Sequence, residues 1–136
     1  MAGYSLKPLV AKLDIKPGYR VQLLDAPAGF ANLLRPLPEG TTMVGSRAKH
    51  ADCILSFAKS STDLARNVAT LPARLPPAGL LWIGWPKKAA NVRTDLTENV
   101  VRALGLATGL VDVKVCALTE VWSGLKFVRR LKDRHL

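Results

Sequence analysis

The stretch Leu75–Lys88, LPPAGLLWIGWPKK, decides how this chain folds. Leu75-Pro76-Pro77-Ala78-Gly79 reads as a turn, because two prolines withhold amide donors and the glycine frees the backbone. Leu80 to Trp85 follows as a short, continuous apolar run, the pattern of a strand covered on both faces. Pro86-Lys87-Lys88 then turns basic within three residues. A strand buried on both faces needs layers above and below it. A charged loop directly after it marks the sheet edge where open α/β folds hold their ligands.

Similar runs flank this one. Arg20–Leu24 reads as a first strand, followed by the loop Asp25-Ala26-Pro27-Ala28-Gly29. Thr41–Val44 is a short second strand between Pro-Glu-Gly and Gly-Ser, Cys53–Phe57 is a third, and Leu80–Trp85 is the fourth. Helical spacing lies before and between them. Leu6, Leu9, Val10 and Leu13 share a face over Ser5–Leu13, with Ser5 as cap and Pro8 tolerated in the first turn. Phe30, Leu33, Leu34 and Leu37 form a short helix stopped by Pro36 and Pro38. Leu64, Val68, Leu71 and Leu75 follow caps from Ser60-Ser61-Thr62-Asp63, with Pro72 ending or kinking that helix. Leu96, Val100, Ala103, Leu104 and Ala107 follow Thr94 or Asp95 as cap, and Asp95 with Glu98 has capping-box spacing.

From Val111 to Val121 the chain alternates. Val111, Val113, Val115, Ala117 and Thr119 fall on one face, with Asp112, Lys114, Cys116 and Leu118 on the other. Leu125–Arg130 is its hairpin partner through a turn at Trp122-Ser123-Gly124. The expectation is one α/β domain over residues 1–136. It has a three-layer sandwich with a mostly parallel sheet of about six strands and a closing antiparallel hairpin. One join is short. Gly45–Asp52 offers eight residues between the second and third strands, where a parallel crossover usually takes a dozen. Either these residues run extended beneath the sheet, the route favoured, or the second strand pairs antiparallel.

Composition narrows the function classes. The 136 residues carry a net charge of +10, which favours anionic partners. Lys126, Arg129, Arg130, Lys132 and Arg134 crowd the end of the chain. That cluster fits a solvated tail, or a grip on nucleic acid or an acidic protein. No apolar run is long enough to span a membrane. The N-terminus begins an amphipathic segment and lacks a secretory apolar core, so a cytoplasmic location is expected. Cys53 and Cys116 sit in apolar runs and read as reduced thiols. His50 and His135 are far apart and there is no CxxC, so no metal site is expected. The motifs GxGxxG, GxSxG and the P-loop are absent.

The order of elements has a resemblance. KLDIKPGYRVQLLDAPAGF (Lys12–Phe30) resembles the opening of class I S-adenosylmethionine-dependent methyltransferases, where a Lys-Pro-Gly turn leads into the first strand and its glycine loop. His50–Phe57 is similar to that fold's fourth strand, Leu75–Trp85 to its Pro-Gly-Gly turn and fifth strand, and Gly109–Arg130 to its terminal antiparallel pair. The whole chain resembles, more closely, a family of small bacterial proteins known only as a domain of unknown function. Lys16-Pro17-Gly18, Asp25-Ala26-Pro27, Trp85-Pro86-Lys87-Lys88, Thr94-Asp95-Leu96-Thr97 and Trp122-Ser123-Gly124-Leu125-Lys126 carry that resemblance. It implies a Rossmann-like fold and no particular activity. The departures from methyltransferases are specific. Pro27 removes a donor from the first loop and leaves only Gly29. The second strand ends without the acid that holds ribose hydroxyls, and a unit between the second and fourth strands is missing. No cofactor is therefore expected.

In such a sheet the loops after the first, third and fourth strands meet at one edge. They bring together Asp25, Gly29, Ser60, Trp85, Lys87, Lys88 and Thr94, with Trp122 and Ser123 from the hairpin. Lys87 and Lys88 would hold an anion, and Trp85 and Trp122 would flank a planar group. Asp25 would serve as base or ligand, or brace its own turn. The leading expectation is a binding module for a small anionic or nucleotide-like ligand. The alternatives are a basic interaction protein for nucleic acid or an acidic partner, and a small transferase-like enzyme.

Overall fold

The structure, a computed structural model, describes residues 7–134. Its strands are β1 (Arg20–Leu24), β2 (Thr42–Val44), β3 (Cys53–Phe57), β4 (Leu80–Pro86), β5 (Leu110–Ala117) and β6 (Trp122–Arg129). Its helices are α1 (Leu9–Lys12), α2 (Phe30–Leu33), α3 (Ser61–Val68) and α4 (Glu98–Leu106). The strands form one six-stranded sheet in the order β2-β1-β3-β4-β6-β5. The first four pair in parallel, while β6 runs antiparallel to both β4 and β5. This is the three-layer, mostly parallel sheet with a reversed end that the sequence pattern implies. Residues Val10, Leu13, Phe30 and Leu34 pack on one face, and Leu64, Val68, Leu96 and Val101 on the other. Every residue of β3 and β4 is buried. Trp82 and Trp85 point to opposite faces, and the Trp82 indole N–H donates to the Leu13 carbonyl at 3.0 Å.

The short join is parallel, and it crosses β1 without a helix. It is not fully extended, because the Ala48 amide turns back to the Gly45 carbonyl at 3.0 Å. Two strand spacings separate β2 from β3, only about 10 Å, so eight residues suffice. A buried side chain holds the crossing. The Gln22 amide, on β1, donates to the carbonyls of Gly45 at 2.8 Å and Ala48 at 3.0 Å. Its oxygen accepts from Arg74 at 3.1 Å. Gln22 thus supplies the donors that a crossover helix would have found within itself.

Several local expectations are corrected. Ser5 and Leu6 lie outside the described residues, and α1 begins after Pro8. In α2 the buried residue is Phe30, with Leu34 just beyond it, while Leu33 is 52% exposed; one turn is too short to bury a wider stripe. The cap of α4 is Thr97, whose hydroxyl accepts from the Val100 amide at 3.2 Å, not Thr94 or Asp95. Its buried positions are Val101 and Gly105. Gly105 is there for space, because a Cβ would come within 2.2 Å of the Phe127 ring.

The hairpin turn lies at Leu118–Val121, one step before the expected Trp122-Ser123-Gly124, which belongs to β6. The Thr119 hydroxyl accepts from the amides of Val121 and Trp122, and the Leu118 amide donates to the Trp122 carbonyl. Gly124 is a packing glycine: it pairs with Gly84 across the sheet, and a Cβ on it would meet Leu118 at 2.9 Å. In β5 the alternation breaks at a bulge between Asp112 and Lys114. Val111 packs into the core, but Val113 and Val115 are 53% and 47% exposed. Lys114 turns inward to the Lys12 carbonyl and the Asp14 carboxylate, which Lys126 also reaches at 2.8 Å. Burial works against the Asp14 charge, yet the hydrogen bonds from Lys126 and Lys114 hold its carboxyl below the usual range. Cys53 and Cys116 are free thiols, and burial pushes both upward, away from a reactive thiolate.

Two substitutions test this architecture. Gln22→Leu should cost about 2–3 kcal/mol in urea denaturation, since it removes three hydrogen bonds and leaves the Ala48 carbonyl without its donor. A loss below about 0.5 kcal/mol would show that the crossing does not need the amide. Gly105→Ala should cost about 1–3 kcal/mol by forcing the Phe127 ring aside, whereas alanine at the open turn position Gly45 should be close to neutral.

Candidate functional site

The carboxyl ends of β1 and β3 open into a cleft of about 770 Å³. Topology puts it there. After β1 the chain leaves for α2 on one face, and after β3 it leaves for α3 on the other. Adjacent loops that depart to opposite faces leave a crevice between them, which is the switch point of an open α/β sheet.

One wall is Asp25, Ala26 and Pro27. Asp25 sits at φ 56, a left-handed conformation that aspartate tolerates better than most residues, and its side chain is exposed. The floor includes Phe57 and Trp122, whose rings meet edge to face with centroids 5.3 Å apart; Phe30 continues this cluster from below Phe57 at 4.9 Å. The opposite wall is α3, with Asp63, Arg66 and Asn67, joined by Lys59 at the end of β3. Val92 and Val121 bound the mouth from the loop after β4 and from the hairpin. Charge inside the cleft is balanced: Lys59 and Arg66 stand against Asp25 and Asp63, and Arg66 is paired with Asp63 on the helix surface.

Of the residues singled out in the sequence, Asp25 and Trp122 line this cleft. Gly29 lies beside it, at φ 80, in a smaller recess that shares Pro27, Val121 and Trp122. Ser60 is the cap of α3, its hydroxyl accepting from the Asp63 amide at 3.1 Å. Thr94 is a rivet: its hydroxyl donates to the Lys59 carbonyl at 2.6 Å and accepts from the Leu96 amide at 3.0 Å. Lys87 and Lys88 follow β4 on the adjoining loop, where the Lys87 amide donates to the Val121 carbonyl at 2.8 Å. Trp85 is 5% exposed and packs on the α3–α4 face, whereas Trp122, 8% exposed, packs on the α1–α2 face. The two tryptophans therefore do not form two walls of one slot. Ser123 is a strand residue paired with Trp85 and Ala117.

Lys59, Arg66 and Asn67 escaped the sequence reading. A signal for them existed. Asp63, Arg66 and Asn67 are spaced i, i+3, i+4, so they share a polar face of α3 beside the apolar stripe of Leu64 and Val68.

No family model and no curated protein matches the chain. Solved structures do match, and they define the class of fold. The sheet order, the reversed β6 and the helices on both faces are those of a Rossmann-like, class I methyltransferase-type domain. Among the similar structures is a possible exported protein from Bordetella parapertussis, with TM-score 0.65 and 10% identity, covering 89% of this chain. The chain spans only 65% of that protein's length. An S-adenosylmethionine-dependent methyltransferase from Aquifex aeolicus matches with TM-score 0.60 and 12% identity over 88% of this chain and 86% of its own. The 1,6-didemethyltoxoflavin-N1-methyltransferase of Burkholderia thailandensis, solved with S-adenosylhomocysteine, matches with TM-score 0.58 and 14% identity over 90% and 77%. At these identities the likeness is one of fold.

The cofactor of that fold does not fit the residues present. In the loop after β1, Pro27 offers no amide, and Asp25, Ala26 and Ala28 carry side chains where backbone would need to approach a ligand closely. β2 ends in Thr42-Met43-Val44, with no carboxylate for a ribose. The next acid, Asp52, is engaged at the far edge, accepting from the Arg20 amide at 2.8 Å. Among the described residues no cluster of metal ligands occurs, and no helix is long and apolar enough to cross a membrane.

One clasp fixes the helical wall. The Asp95 carboxylate accepts from the Ser61 hydroxyl at 2.6 Å and from its amide at 2.8 Å, joining the loop after β4 to the start of α3. These bonds, the hydroxyl's first, hold the Asp95 carboxyl below the usual range. A lowered folded pKa means the clasp is at full strength above the unfolded value of about 3.9 and is lost as pH falls through the folded one. Asp95→Asn should therefore speed hydrogen exchange at the Ser61 amide at neutral pH. The wild-type and variant rates should converge in acid; equal rates at neutral pH would remove the clasp from the account.

Proposed function

We propose that the chain is a binding module for a small anionic or nucleotide-like ligand, seated in the cleft at the carboxyl edge of the sheet. The observation that carries this reading is the coincidence of the 770 Å³ cleft with the switch point between β1 and β3. Its chemistry suits a ligand with an apolar plane and a charged end. Phe57 and Trp122, both buried, close its floor with apolar ring edges. Lys59 and Arg66 attract a phosphate or carboxylate, and Asp25 accepts from hydroxyl or amino groups on the opposite side. Lys87 and Lys88 do not line the cleft; they follow β4 on the loop bonded to Val121, and their positive charge acts from outside it.

Isothermal titration with adenosine 5′-monophosphate, a nucleobase-free phosphate monoester and a simple acyl phosphate tests this directly. The expected result is saturable binding that Lys59→Ala/Arg66→Ala weakens at least about tenfold, the worth of a charge-assisted contact. Lys87→Ala/Lys88→Ala should cost less. No binding by any of the three probes, or full affinity in the Lys59/Arg66 variant, would overturn the reading.

A further inference from the structure

Charge is distributed very differently over the two edges of the sheet. At the carboxyl edge Lys59, Arg66, Lys87 and Lys88 stand among Asp25, Asp63, Asp95 and Glu98. The amino edge carries the starts of β1, β3 and β4 and, because β6 is reversed, the end of β6. Lys16, Arg20, Lys126, Arg130 and Arg134 gather on it, with Arg74 and Arg129 beside them. Two of its acids are already committed: Asp14 to Lys126 and Lys114, and Asp52 to the Arg20 amide. Glu39 and Asp133 offset only part of the excess.

The segment Arg129–Arg134 is part of this surface and not a loose tail. Leu131–Asp133 forms a turn of 3-10 helix, and the Arg134 side chain folds back to the Arg129 carbonyl at 2.9 Å. Arg129 itself anchors to the carbonyls of Pro72 and Leu75. Lys16, Lys126 and Arg134 thereby line a recess of about 360 Å³ with Tyr19. A second recess of about 330 Å³ lies at the same edge but on the other face of the sheet, lined by Arg20, His50, Asp52 and Arg74.

We propose that this amino edge is a sequence-independent docking surface for the phosphate backbone of duplex nucleic acid. From β1 to β6 it spans three strand spacings, about 14 Å. A duplex presents one phosphate per about 1.7 Å of axis, so several lie within reach. Single strands are disfavoured because binding them relies on exposed aromatic platforms. Among the described residues the tryptophans and phenylalanines are buried and Tyr19 is half-buried. A lipid surface is disfavoured as well. Among the described residues the apolar side chain exposed beside the basic ones is Leu131, on a three-residue turn with no amphipathic face to insert. This surface uses none of the residues of the ligand cleft, so either reading can fail without the other.

The test is fluorescence anisotropy of the full chain with a labelled mixed-sequence duplex of about 20 base pairs, titrated between about 50 and about 200 mM salt. Binding should weaken with a log–log slope of about −0.9 per phosphate engaged. Lys16→Ala/Arg20→Ala/Arg130→Ala replaces exposed side chains and should leave the circular dichroism spectrum unchanged. It should lower affinity at least about tenfold and flatten the slope by about three. Lys87→Ala/Lys88→Ala, at the opposite edge, should change neither. The proposal is overturned by absence of salt-dependent duplex binding, by equal losses in the two variants, or by preference for a single-stranded oligonucleotide. Binding to phosphatidylglycerol vesicles without binding to the duplex would also overturn it, in favour of a membrane.

Discussion

The amide of Gln22 is the constraint on which the arrangement of strands depends. It is fully buried in β1, and it spends both its donors on the chain that passes over it. Buried backbone carbonyls must find partners. A crossing with no helix of its own provides one such bond internally, from the Ala48 amide to the Gly45 carbonyl, and a side chain from the strand beneath provides the others. With the crossing held, β2 can pair in parallel on one side of β1 while β3 pairs on the other. That divergence is what opens a crevice at the carboxyl edge. One polar residue in the sheet interior therefore lies behind both the shortened fold and the position of its cleft.

The aromatic and glycine positions of the later strands form a second, linked device. Gly84 and Gly124 face each other across β4 and β6, and the space they leave is taken by Leu118 and Phe57. Phe57 then meets both Phe30 and Trp122. The hairpin is thus drawn down onto the end of β3, and the floor of the cleft is made by core residues. The polar residues around it come from loops and from one helix face, as expected where a rigid scaffold presents a variable site.

Strand positions were legible in the sequence because apolar runs and punctuation coincide: Arg20–Leu24 and Cys53–Phe57 match their strands residue for residue. The turn of the hairpin was not legible, because Gly124 has the look of a turn residue and acts as a packing gap. Thr119, with no special backbone conformation, closes the turn through its hydroxyl instead. The exposed valines of β5 were hidden by the same kind of ambiguity. A bulge inserts one residue without any mark in the hydropathy pattern, and every side chain beyond it changes face. In the cleft, Asp25 was legible from its place after a strand. Lys59 and Arg66 were not, since a helix face shows polarity in sequence but not what it looks onto. Trp85 shows the opposite failure: its position at a strand end suggested a place beside a ligand, and it is buried in the core cluster that holds Leu96.

The bulge in β5 has a consequence for how the molecule keeps its own company. Lys114, the charge that would ordinarily guard an edge strand, is turned under the sheet toward Asp14. That leaves Val113 and Val115 exposed at an outer edge, flanked by Asp112, which is held by Arg102, and by Lys114, which is drawn toward Asp14. The irregular step at Asp112–Lys114 takes over the guarding. A strand arriving from another molecule could keep register with one half of β5 or the other, but not with both. The edge is protected by its shape, and it stays protected at salt concentrations that would screen a lysine.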